Sequence, residues 1–123
     1  MLMKISELTG AALDWAVAKC EGLHREDTVW EVWASTHQYS SDWALGGPIL
    51  EREDISFRKY HNQTSEAHGK YYARICRESG TLIGWYKTTG HQMTGQTPLI
   101  AAMRCYVASK FGVEVDVPEE LTC

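Results

Sequence analysis

At 123 residues the chain fits one domain and can bury a core without disulfide or metal staples; 44% hydrophobic and 23% charged residues weigh against disorder over most of its length. Its formal net charge is −4 and its 12 Lys and Arg are scattered without a run, which weighs against binding along the backbone of a long nucleic acid but leaves a small anion within reach of one or two arginines. No run of about 18 apolar residues exists to span a membrane, and the first residues lack the apolar stretch of a signal peptide.

In chain order, the first predicted element is a helix over residues 9–21. Leu8, Ala12, Trp15 and Lys19 to Cys20 follow one stripe, Thr9 caps the start and Gly22 supplies a left-handed stop. Residues 28–33 (Thr-Val-Trp-Glu-Val-Trp) have strand composition without clean alternation, so a short strand and an irregular aromatic loop both stay open. Ser40, Ser41 and Asp42 are good N-caps for a short helix, which Gly46-Gly47-Pro48 is expected to interrupt or bend, with Pro48–Glu53 forming a new turn.

Residues 55–60 and 70–76 alternate as strands of a hairpin or meander, with Tyr71, Ala73 and Ile75 on one face. A polar, flexible connection is expected over 61–69, a third strand over 82–87, and a second flexible loop over 88–96, where Gly90 and Gly95 stand among few apolar residues. The last helix is the best defined: Thr97 caps it, Pro98 takes the first helical position, Leu99, Ile100, Met103, Tyr106 and Val107 give helical spacing, and Gly112 ends it. The tail is expected to be extended at 115–118. Together these elements predict a single α+β domain, a small antiparallel sheet with helices packed on it in an αβα-sandwich-like arrangement.

Cys20, Cys76, Cys105 and Cys123 include no C-x-x-C pair and read as reduced thiols of a cytoplasmic protein. The five histidines have no metal-ligand spacing, and no nucleophile–base pattern stands out, so neither a metal, a cofactor nor a catalytic residue is expected and an enzyme ranks below a binding protein. The two polar helix starts carry the binding expectation, because unpaired N–H groups and a partial positive charge suit an anion. Ser40, Ser41, Asp42 and Thr97 sit at those starts; Gly46 and Gly47 permit close backbone approach; Trp43 offers a ring for stacking; Arg52 and Arg104 offer bidentate donors. Each has a plainer explanation as well: capping, a tight bend, a core indole, or a surface ion pair for each arginine.

The stretches Glu7–Ala18, Tyr39–Arg52 and Thr97–Arg104 resemble, in the same order, the opening, central and closing motifs of the NinX-like family of lambdoid bacteriophage and prophage accessory proteins, which is related to small phage αβα-sandwich domains. The resemblance covers nearly the whole chain. It implies a phage-encoded accessory protein acting in the bacterial host cytoplasm, and it brings no catalytic residue with it. Residues and resemblance together suggest a non-catalytic protein that binds a small anionic, nucleotide-like ligand through the residues named above, sequestering a host antiviral signalling nucleotide. The alternative is a protein-interaction module that inhibits or recruits a host or phage protein through a face at Trp30, Trp33 and the acidic tail. Self-association into a homo-oligomer fits a domain this small.

Overall fold

The computed structural model describes residues 2–22, 37–59, 71–78 and 86–118. The aromatic stretch 28–33 and the connection 61–69 lie outside them.

A short strand β1 (Leu2–Lys4) and a 3-10 turn (Ile5–Glu7) lead into helix α1 (Gly10–Cys20). Thr9 is the N-cap by its extended backbone, but its side chain makes no capping bond; Gly22, at φ +75°, supplies the expected left-handed stop. Burial runs unbroken through residues 12–18 rather than along one stripe, because α1 is enclosed on more than one side. Lys19, predicted on the stripe, is exposed and places its ammonium 5.0 Å from the Trp15 ring centre and 5.6 Å from that of Phe111.

Helix α2 (Trp43–Arg52) starts at Asp42, whose carboxylate accepts from the Ala44 N–H at 2.9 Å. The expected interruption at Gly46-Gly47-Pro48 does not occur. Pro48 lies inside a continuous helix on its exposed side, where the Ala44 carbonyl that loses its usual donor is also near solvent.

Strands β2 (Ile55–Lys59), β3 (Tyr71–Glu78) and β4 (Tyr86–Gly95) form an antiparallel sheet in that spatial order, with Ile55 opposite Ile75, Phe57 opposite Ala73, and Tyr72 opposite Thr94. Ala73 and Ile75 are buried and Tyr71 half-buried, as the alternation predicted. The loop expected over 88–96 is instead most of β4. A strand at the rim of a sheet is held by its backbone ladder, so few apolar side chains are no argument against it.

Helix α3 (Pro98–Phe111) runs between the expected caps: Thr97 Oγ1 accepts from the Ile100 N–H at 3.1 Å, Pro98 takes the first turn, and Gly112 closes the end at φ +86°. It packs across all three strands of the larger sheet and also against α1 and α2. Residues 101–108 are therefore buried on every side. Strand β5 (Glu114–Asp116) returns to pair with β1, an antiparallel ribbon the sequence reading did not anticipate at the N-terminal end.

The result is a small α+β domain with antiparallel sheets, built around α3. Among the described residues no helix is long and apolar enough to cross a membrane. Among the described residues Cys20 and Cys105 form no disulfide, and burial pushes the Cys20 thiol up to about 12, far from the range of a reactive cysteine.

A candidate ligand cleft at the helix starts

The segment before α2 is a tight turn, with Ser41 and Asp42 donating backbone N–H groups to the Gln38 carbonyl at 3.1 and 2.8 Å. It is pinned to α1 by one long-range bond: Ser40 N–H donates to Asp14 Oδ1 at 2.8 Å. Asp14 is 3% exposed and Ser40 5% exposed. Burial raises the Asp14 pKa, and the hydrogen bonds from Ser40 offset part of that rise.

The start of α3 closes the third side. A side-chain carbon on Gly46 would lie 2.6 Å from both Leu99 Cδ1 and the Tyr39 carbonyl oxygen, which shows how tightly α2, the turn and α3 meet there. Gly95 has the same role at the end of β4, where a Cβ would lie 2.7 Å from the Ala101 nitrogen. These contacts bring the first turns of α1 and α3 and the turn ahead of α2 into one neighbourhood. A cleft of about 390 Å³ opens between them, lined by Gly10, Ala11, Asp14, Gln38, Ser40, Ser41 and Ile100.

Its chemistry is mixed. Gly10 and Ala11 carry little side chain over the first turn of α1, where N–H groups have no acceptor inside the helix. Ser41 offers a hydroxyl, Gln38 an amide, Ile100 an apolar wall, and Asp14 a buried carboxyl group at the side, to which the Ser40 side chain is already hydrogen-bonded. Among the described residues no group of three or more His, Cys, Asp or Glu is placed to hold a metal ion.

Of the residues singled out in the sequence, Ser40 and Ser41 line this cleft. The remaining ones stand elsewhere. Asp42 caps α2. Trp43 is 50% exposed, its ring 5.9 Å from that of Phe57 on β2. Gly46 is buried by the packing just described, and the nearest neighbour to a Cβ on Gly47 is the Trp43 ring at 3.9 Å. Thr97 caps α3.

Both arginines are engaged within the protein. Arg52, at the far end of α2, donates to Glu21 at 2.8 Å, to Glu53 at 3.2 Å and to the Tyr106 hydroxyl at 3.2 Å. Arg104 is buried, donating from Nε to the Leu8 carbonyl at 2.8 Å and from Nη1 to that of Thr94 at 2.7 Å. Neither lines the cleft.

Sequence reasoning missed Gly10, Ala11, Asp14, Gln38 and Ile100. For Asp14 a signal existed: it is a lone acid inside the apolar run Ala11–Ala18.

Fold and cleft together define a small single-domain α+β protein. A family model described as "Bacteriophage P22, NinX" matches residues 4–110, which include every residue of the cleft, and the chain belongs to that family of phage accessory proteins. No curated protein matches the chain.

Proposed function

We propose that this phage accessory protein binds a small nucleotide-like ligand in the cleft, without catalysis, and acts by sequestering a host antiviral signalling nucleotide. One observation carries the reading: three polypeptide turns converge on a cleft of about 390 Å³ that has hydroxyl, backbone and carboxyl groups on its walls. Ligand pockets commonly span about 300–1,000 Å³.

The ligand's negative group fits against the first turn of α1 and the Ser41 hydroxyl. A ring or sugar then lies along Ile100, and a hydrogen-bond donor of that ring or sugar meets Asp14. The carboxyl group refines the expectation made from sequence, since a bare anion gains nothing from Asp14 whereas a nucleotide carries anion and donors together.

Titration calorimetry against cyclic nucleotides and ADP-ribose derivatives tests this. At least one is expected to bind, and the exposed-site substitution Ser41→Trp, which fills the cleft, is expected to remove that binding while leaving the melting temperature within about 2 °C. Absence of heat from the whole panel at micromolar protein would remove the reading.

A further inference from the structure

The cleft has a direction along α1. Gly10, Ala11 and Asp14 all line it, and they fall on one face of that helix because positions three and four apart are neighbours on a helical surface. Gly10 stands at φ +54°, and a carbon added to it would meet nothing within 4 Å, so the backbone at the start of α1 faces open space. Asp14, one turn further on, is 3% exposed, and its Oδ1 is held by the Ser40 N–H at 2.8 Å. The Cα–Cβ bonds of a helix lean toward its N-terminus, so that of Asp14 leans back toward Gly10 and Ala11.

We infer that Asp14 is the residue that reads the sugar, and that the ligand is a ribonucleotide, one of whose sugar hydroxyls donates to the Asp14 carboxylate. This rests on the reading that the ligand's phosphate meets the first turn of α1. Spacing then decides between sugar and base. One helical turn is about 5.4 Å. In a ribonucleotide the sugar hydroxyls are the donors nearest the phosphate, whereas the donor-bearing edge of the base is separated from it by the whole sugar and by the width of the ring. A phosphate on the first turn therefore leaves a hydroxyl, not a base edge, within reach of a carboxyl group one turn away.

The chemistry of the walls agrees. An ionised carboxylate only accepts hydrogen bonds, and a ribose hydroxyl can donate one. Ile100, half-buried at the start of α3, offers the base an apolar surface that has no donor or acceptor to read its edge. The site consequently distinguishes ribose from deoxyribose more sharply than one base from another, through the hydroxyl that separates the two sugars.

Calorimetry with cyclic nucleotides and nucleoside monophosphates, each beside its deoxyribose counterpart, tests the assignment. Loss of the hydroxyl is expected to weaken binding at least about tenfold in the parent, the usual scale for a hydrogen bond to a charged group. In Asp14→Asn, whose melting temperature confirms that it folds, a neutral amide replaces the carboxylate and the same loss is expected to cost under about threefold. Exchanging guanosine for inosine ligands, which removes the amino group of the base, is expected to change affinity by less than about threefold in both proteins. Equal binding of ribose and deoxyribose forms by the parent overturns the proposal, as does a hydroxyl preference that Asp14→Asn retains in full. An amino-group preference seen in the parent and lost in Asp14→Asn also overturns it, by giving Asp14 to the base. In all three cases binding persists and the ligand cleft stands; no binding by any of these ligands removes both.

Discussion

Gly46 and Gly47 are adjacent, identical in sequence and opposite in what they tolerate. Their pairing in sequence suggests a backbone opened for a ligand. In the folded chain Gly46 is instead the point where α2 touches both the Tyr39 carbonyl and Leu99, with room for hydrogen only, whereas a Cβ on Gly47 meets the Trp43 ring at an ordinary 3.9 Å. Alanine is the better helix former by about 1 kcal/mol. At position 46 that gain is outweighed, because the Tyr39 oxygen is backbone and cannot swing aside as the Leu99 methyl can. Gly46→Ala is expected to lower stability by about 1–3 kcal/mol, the usual cost of overpacking, and Gly47→Ala to raise it by up to about 1 kcal/mol. Urea unfolding of the two variants beside the parent reads both signs, and equal effects would show that the contact at Gly46 yields.

Among the elements, α3 ties the molecule together, and Arg104 is the residue through which it does so. One guanidinium bonds to the carbonyl of Leu8, just ahead of α1, and to that of Thr94, near the end of β4. Arg104→Met keeps much of the side-chain volume but removes the donors to the buried Leu8 carbonyl and the part-buried Thr94 carbonyl; a loss of about 2–3 kcal/mol is expected in denaturant unfolding. A loss under about 1 kcal/mol would mean that water replaces the guanidinium.

The reading of Arg104 as a surface ion pair failed for a definite reason. The limits of α3 were legible because Thr97, Pro98 and Gly112 are local signals. Its surroundings were not, because a helix buried on all sides has no polar stripe to show which face is solvated. The same division explains the other differences. The strands β2 and β3 announced themselves by alternation, whereas β4 owes its existence to pairing with β3, and β1 to pairing with β5 at the opposite end of the chain. Pro48 looked like a breaker because its local cost is real, yet burial of Ile49 and Leu50 just beyond it draws the helix onward.

At the scale of the whole molecule, the sequence revealed that helix starts matter but not which neighbours they acquire. Of the three candidate caps Ser40, Ser41 and Asp42, only Asp42 caps α2, and Asp14 faces Ser40 only because folding closes 26 residues of chain. That carboxyl group couples the cleft to pH. Burial raises its pKa above the ordinary 3.8, so the folded protein holds the Asp14 proton more tightly than the unfolded chain does. The resulting contribution to stability is complete below 3.8 and is lost as pH rises through the folded-state value. Asp14→Asn retains an oxygen to accept the Ser40 N–H and has no charge to bury. Its melting temperature should therefore gain on that of the parent as pH rises from about 3.5 to 7, and an offset independent of pH would show that Asp14 does not titrate as its burial dictates. Ligand binding follows the same logic. An anion placed beside Asp14 raises its proton affinity further, so a bare anion such as phosphate binds more tightly as pH falls, while a ligand that donates a hydrogen bond to the ionised carboxylate binds less tightly. Calorimetric titrations of one ligand at two pH values, with the parent and with Asp14→Asn, distinguish the two contacts: a pH dependence that survives in the variant arises elsewhere, and one that vanishes with the carboxylate belongs to Asp14.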